Sequence, residues 1–310
     1  MEMGMVGLGR MGGNMVLRLL KRGHRMIAYD RSPDAVQSHV AEGAVGAHTL
    51  DEFVQAFQSK PRVMWVMVPA GDPTTHTIHE LADLGHPGDI VIDGGNTNWK
   101  LALEDAAYVK SKGMHYMDAG TSGGIWGLIN GYCLMVGAER SVFDHCLPLL
   151  KDLAPDDGGL VHTGPEGSGH FVKMVHNGIE YGLMEAYAEG FEIMKQAKAF
   201  PGMDMLAIAD AWRTGSVIRS WLLDLIANGL RADPELSGIR GYVEDTGEGR
   251  WTVEAAIEES VPAAVITTSL FARFRSRMEN TFGDRLLAMM RQQFGGHGVV
   301  KDTAGETARR

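Results

Sequence analysis

Hydrophobic and polar positions follow two alternating rhythms through the first half of the chain. Short apolar runs at Met3–Leu8, Met26–Tyr29, Arg62–Val68, Asp89–Asp93 and His115–Ala119 read as buried strands. Between them, the spacing over Asn14–Lys21, Pro33–Glu42, Leu50–Phe57, Thr74–Leu84 and Lys100–Lys112 predicts helices. Leu134–Val136, Val142–Asp152 and Leu160–His162 read as completing the sheet. A breaker-rich link, T-G-P-E-G-S-G over Thr163–Gly169, closes this part. Beyond it no strand is evident, and Gly167–Glu189, Met205–Arg213, Ile218–Asn228, Thr252–Glu259 and Ala264–Met290 read as helices. The pattern predicts an α/β Rossmann-like N-terminal domain (1–165), an all-α C-terminal domain (166–290) and a glycine-rich tail (291–310) whose final residues are disordered.

The first strand runs into G-L-G-R-M-G, with Gly7, Gly9 and Gly12 in G-x-G-x-x-G spacing ahead of a helix, and the next strand ends at Asp30. This order binds a dinucleotide: the first glycine makes the turn, the second admits the pyrophosphate, and the third lets helix and sheet pack. The helix N-terminus supplies N–H donors for the phosphates. The cofactor-binding candidates are Gly7, Leu8, Gly9, Arg10, Met11 and Gly12, with Asp30 and Arg31. Val68, Pro69 and Ala70 join them where a third strand ends. An acid at Asp30 accepts from ribose hydroxyls and repels a 2′-phosphate, which favours NAD. Arg31-Ser32 is also a plausible phosphate grip, so NADP is tolerated. Asn96, after D-I-V-I-D-G-G, reads either as a ligand of nicotinamide or substrate or as an ordinary turn residue. Thr121–Gly124, T-S-G-G, reads as a strand-end turn whose N–H groups can hold a carboxylate.

The predicted helix over Gly167–Glu189 places Lys173, His176, Asn177, Glu180 and Tyr181 on one face, at offsets of zero, three, four, seven and eight. Phe171, Val172, Val175, Ile179 and Leu183 supply apolar surface elsewhere for packing. Such a helix lines a cleft, unless the face is simply solvated. Asn, His and Tyr are poor helix-surface choices, and Gly178 and Gly182 inside the helix imply that something packs very close.

Composition narrows the partners. A net charge of −10 argues against nucleic acid or an anionic membrane, so an anionic substrate needs a local cluster of Lys, Arg and His. Two cysteines without metal-ligand spacing, and no apolar run of spanning length, suggest a reduced cytoplasmic protein without a metal site.

The stretches G-L-G-R-M-G-G-N, M-V-P-A-G, I-D-G-G-N, T-S-G-G, K-M-V-H-N-G-I-E-Y-G, G-R-W-T, F-A-R and R-Q-Q-F-G-G-H together cover nearly the whole chain. They resemble the β-hydroxyacid dehydrogenase superfamily and, within it, the short branch of the decarboxylating 6-phosphogluconate dehydrogenases. The resemblance implies oxidative decarboxylation of 6-phosphogluconate to ribulose 5-phosphate and CO2. Lys173 would take the C3 hydroxyl proton and Glu180 would protonate C1 of the enediol. Asn96, Ser122, Gly123, Gly124, His176 and Asn177 would position the carboxylate and hydroxyls, and Tyr181 and Arg273 would hold the phosphate. Arg291 and His297 would reach a neighbouring subunit's site, which implies a homodimer or homotetramer. Thr246 and Glu248 stand where long-form members carry Lys and Thr; a Glu there repels a phosphate, and Arg250 would compensate. Pro69 replaces a Lys and Asp30 an Asn, both in line with NAD. The alternatives are a 3-hydroxyisobutyrate-type dehydrogenase without decarboxylation, and a cofactor-binding protein without turnover. The first has no need of Glu180, Tyr181 or the Arg291/His297 tail.

Overall fold

The computed structural model describes residues 1–295 and 298–300. Its strands are β1 (Glu2–Val6), β2 (Arg25–Tyr29), β3 (Val45–Ala47), β4 (Val63–Val66), β5 (Ile90–Asp93), β6 (His115–Ser122), β7 (Cys133–Ala138) and β8 (Leu160–Gly164). They form one sheet in the order β3-β2-β1-β4-β5-β6-β7-β8. Neighbours are parallel except β6 and β7, which run antiparallel. Helices α1 (Arg10–Lys21), α2 (Pro33–Ala41), α3 (Leu50–Gln55), α4 (Asp72–Leu84), α5 (Trp99–Ser111), α6 (Gly127–Asn130) and α7 (Arg140–Leu153) connect them. Then follow α8 (Ser168–Lys195), α9 (Met205–Trp212), α10 (Trp221–Ala232), α11 (Glu248–Glu258), α12 (Ala264–Ser276) and α13 (Phe282–Gly295).

Successive strand residues enter opposite faces of the sheet. Met3, Met5, Trp65, Ile90 and Ile92 join Met15, Leu19, Phe143 and Leu150 on one side. Val6, Met64, Val66 and Val91 join Phe53, Ile78, Leu81 and Val109 on the other. Cover on both faces is why these strands read as unbroken apolar runs. The sheet order reverses between β1 and β4, and the C-terminal ends of that pair are where an open α/β sheet binds ligands.

By packing, the chain forms two units. The first contains Met1–Glu180 and Gly247–Pro262, so α11 belongs with the sheet although it lies in the helical half of the sequence. The second contains Tyr181–Thr246 and the chain from Ala263 onward. Its core is small: Ala209, Leu223, Ala227 and Leu230, flanked by Tyr187, Phe191 and Trp212.

Several sequence expectations are corrected. Residues 142–152 do not extend the sheet but lie in α7, where Val142, Phe143, Cys146, Leu149, Leu150 and Leu153 make a buried helical stripe. β3 was not expected; three residues, V-G-A, carry no apolar run. The helix expected over Ala264–Met290 is two helices, broken where Asn280 takes a left-handed φ of 49°. Thr281 and Asp284 then cap α13 reciprocally: the Asp284 N–H donates to Thr281 Oγ1 (3.1 Å) and the Thr281 N–H to Asp284 Oδ2 (3.2 Å). α13 runs to Gly295, so Arg291 lies in a helix and not in a loose tail. α11 begins at Glu248, four residues before the expected start, and α10 at Trp221, where Ser220 accepts from the Leu223 N–H. His297 and the expected disordered terminus at 301–310 lie outside the described residues.

Candidate active site

The glycine turn is built as its spacing predicts. Gly7 has φ +97°, and a Cβ on Gly12 would lie 2.0 Å from the Gly7 carbonyl, so α1 can start only against an unsubstituted backbone. α1 begins at Arg10, and its first N–H groups have no acceptor within the helix. Asp30, at the end of β2, accepts from the Leu8 N–H (2.7 Å) and the Ser32 N–H (2.8 Å), tying the acid to the turn. A cavity of about 360 Å³ opens here, lined by Gly7, Gly9, Asp30, Arg31, Val68 and Pro69 among others. The sequence reading missed its wall on α4: Pro73, His76, Thr77 and Glu80. Of the other cofactor candidates, Leu8 and Gly12 are buried beneath the turn, Met11 is half-buried, and Arg10 and Ala70 are exposed; none of these five lines the cavity. Ser32 is drawn into capping α2, accepting from the Ala35 N–H, so the Arg-Ser grip has less to offer a phosphate. A positive-φ turn, a free helix N-terminus and an acid at the ribose position fit a dinucleotide.

The second cluster centres on α8. The face carrying Lys173 and Tyr181 is the buried one, and His176, Asn177 and Glu180 are half-buried along it. Val172, Ile179 and Leu183, expected to pack the helix, are exposed instead, with Ile179 52% accessible. The helix is seated through its polar side because glycines let it come close there. A Cβ on Gly120 of β6 would fall 2.4 Å from Lys173 Cβ. A Cβ on Gly178 would fall 2.7 Å from Thr252 Cγ2 of α11, and one on Gly182 3.2 Å from Val265 Cγ1. Both mid-helix glycines thus have the close neighbour their cost implied.

Lys173 is 7% accessible. Burial pulls its ammonium below the ordinary lysine range, and the charges of Glu180, Glu248 and Cys133 restore only part of the loss. His176 Nδ1 lies 3.0 Å from Asn177 Oδ1 and 4.0 Å from Glu180 Oε2. Asn96 turns its Nδ2 to Glu248 Oε1 at 2.5 Å. Ser122 ends β6, Gly123 bends at φ +135°, and Gly124 starts a short 3-10 turn to Trp126 that the sequence reading did not expect. Within the second unit, the Arg273 guanidinium sits 3.5 Å over the Tyr181 ring, and its Nη1 donates to the Glu244 carbonyl (2.8 Å). Arg291 is exposed on α13.

Sequence reasoning also missed the groups that anchor α8. His170, one turn before Lys173, is buried with Nε2 3.1 Å from Asp93 Oδ2, an ion-pair distance with the ring N–H off the hydrogen-bond line. Tyr116 donates its hydroxyl to the same carboxylate oxygen (3.1 Å). Asp118 accepts from the Gly167 N–H (2.6 Å) and the His170 N–H (2.7 Å), and so caps α8. Burial lowers His170, but the Asp93 charge outweighs it and holds the imidazole above the usual histidine range. Burial likewise raises Asp93, and the His170 charge with the Gly95 N–H brings it below the usual carboxylate range. His170, directly after G-S-G at a helix start, was the available signal. The described residues contain no group of His, Cys, Asp and Glu arranged to hold a metal, and no helix long and apolar enough to cross a membrane.

Residues 2–164 match the family described as the NAD binding domain of 6-phosphogluconate dehydrogenase, and residues 169–303 match the 6-phosphogluconate dehydrogenase C-terminal domain. The chain is 39% identical to an NAD(+)-dependent, decarboxylating 6-phosphogluconate dehydrogenase of Haloferax volcanii, over 97% of this chain and 99% of that one. It is 34% identical to an enzyme of the same description from Bacillus subtilis, covering 90% of this chain but 62% of the longer relative. Among solved structures, Plasmodium falciparum 6-phosphogluconate dehydrogenase superposes with a TM-score of 0.82 at 27% identity, over 98% of this chain and 67% of that one.

Proposed function

The chain belongs to the 6-phosphogluconate dehydrogenase family, and from that premise we propose that it converts 6-phospho-D-gluconate to D-ribulose 5-phosphate and CO2 while reducing NAD(P), NAD favoured. The observation that carries the reading is a buried lysine of lowered basicity on the same helical face as a half-buried carboxylate: Lys173 and Glu180, about 10 Å apart along the α8 axis.

Gly7, Gly9, Val68 and Pro69, with the N–H groups at the start of α1, would hold the dinucleotide, and Asp30 and Arg31 its adenosine ribose. When bound there, the nicotinamide would supply the acceptor for the C3 hydride. Lys173 takes the C3 hydroxyl proton, which its lowered pKa allows nearer neutrality than a free lysine would. The β-keto acid so formed can break its C1–C2 bond because the C3 ketone draws off the electron pair, and the new Lys173 ammonium stabilises that oxygen by hydrogen bonding. Glu180 then delivers a proton to the carbon that lost CO2. Asn96, Ser122, Gly123, Gly124, His176 and Asn177 hold the carboxylate and hydroxyls, and Tyr181 and Arg273 the phosphate. In this reading residues 1–165 serve the cofactor and 166–290 the substrate and oligomer contacts.

We read the assembly as a cytoplasmic homodimer or homotetramer in which residues 291–310, with Arg291 and His297, complete a neighbour's site. What supports this is bare apolar surface: the Val172, Ile179 and Leu183 stripe on α8, and an apolar cavity of about 630 Å³ in the second unit lined by Met184, Phe191, Leu222, Leu225 and Leu230.

The test is NADH formation with 6-phosphogluconate, matched mole for mole by CO2. Lys173→Met should lower turnover by on the order of 10²–10⁴-fold, and Glu180→Gln should slow it with KM little changed. A protein that oxidises 3-hydroxyisobutyrate and ignores 6-phosphogluconate overturns the assignment.

A further inference from the structure

Glu248 is a buried ionisable side chain of this cluster that the proposed reaction leaves without a task. It is 2% accessible at the first turn of α11. That turn is fixed: Thr252 Oγ1 lies 2.8 Å from the Met174 carbonyl and 2.7 Å from the Glu248 carbonyl, and Gly178 leaves room for the threonine against α8. Met174 adjoins Lys173 in the chain, so α11 is fastened beside the proposed base. From there the Glu248 carboxylate accepts from Asn96 Nδ2 and places negative charge in the field of the Lys173 ammonium.

We propose that Glu248 is a positioning residue for the proton-handling step: it holds the Asn96 amide nitrogen-first toward itself, and with Glu180 it sets the charge that Lys173 experiences. The argument rests on Lys173 being the base. An ionised carboxylate only accepts hydrogen bonds, so the amide partner must present nitrogen to it, and the Asn96 Oδ1 is turned to the other side of the amide. There it can accept from a substrate hydroxyl. A buried carboxylate cannot receive a phosphate without repulsion, so the first turn of α11 serves hydroxyl recognition here, and the phosphate depends on other cations. Two carboxylates around one buried ammonium also oppose the loss of its proton, so the base is less acidic than burial alone would make it.

The experiment compares Glu248→Gln and Glu248→Asp with the parent protein and with Lys173→Met. Glu248→Gln keeps size and a carbonyl acceptor but removes the charge. It should move the acid limb of the kcat/KM profile for 6-phosphogluconate to lower pH by about one unit, raise KM several-fold, and leave NADH binding unchanged. Glu248→Asp keeps the charge and should leave the limb in place while impairing Asn96 and raising KM. A Glu248→Gln limb coincident with the parent's, with Lys173→Met inactive, overturns the role of Glu248 and spares that of Lys173. An active Lys173→Met overturns the base itself. Should Glu248→Gln fail to fold, Glu248→Asp decides: a KM raised several-fold with the acid limb in place and NADH binding intact supports the inference, and a KM equal to the parent's overturns it.

Discussion

Asp30 and His170 show how single side chains are committed by their backbone partners. Both Asp30 oxygens receive an N–H, from Leu8 and Ser32, so the acid is fixed where a ribose would lie and cannot swing away from a 2′-phosphate. Asp30→Asn should raise kcat/KM for NADP relative to NAD by about tenfold, equivalent to about 1.4 kcal/mol. It should also cost about 1 kcal/mol of stability, since one backbone donor loses its acceptor. Initial rates with the two cofactors and a urea titration check both. His170 carries a pH signature. Its folded pKa is raised, so the contribution is fully present below the unfolded value of about 6.5 and is lost as pH rises through the folded value. The stability of the parent should therefore fall over that window, and His170→Gln should be less stable below it and flatter across it in thermal melts. A steeper alkaline decline in the variant would contradict the sign.

Elements whose pattern is set by their own residues were legible in the sequence. The G-x-G-x-x-G turn, the buried strands and the polar stripe of α8 all emerged from spacing, because burial and period write directly onto the chain. What spacing hid was which side of α8 would be buried. Apolar residues normally decide that, but here glycines on other elements do, and Gly120 is some 50 residues away in sequence from the lysine it admits. The Asp93–His170 pair was equally invisible, since partners on β5 and α8 meet only once the sheet is assembled. The T-F-G-D capping box at Thr281 was readable, yet the continuous apolar rhythm across it won. Gly120→Ala puts a methyl 2.4 Å from Lys173 Cβ and must push α8 off β6. We expect a loss of about 1–3 kcal/mol in chemical denaturation. Turnover should fall by at least tenfold while NADH binding at the distant turn is kept.

At the scale of the molecule, the second unit has a small core and much bare apolar surface, including Ile193, Phe200, Val265 and Phe282. Such a unit gains stability from association. Sedimentation should find a dimer or tetramer, and the melting temperature should rise with protein concentration. Ile179→Glu on the exposed stripe of α8 should shift the species toward monomer and, in the proposed assembly, reduce activity by withdrawing the neighbour's Arg291 and His297; an unchanged sedimentation coefficient would remove this stripe from the interface. The connectivity has one more consequence. The chain leaves the first unit in mid-helix at Glu180 and returns for Gly247–Pro262. No single cut in the gene therefore yields either unit intact: a clone ending at 180 lacks the α11 turn that braces its own last helix. Recombination among relatives would therefore have to keep the stretch from α8 through Pro262 in one parent's version, since α11 is fastened to α8.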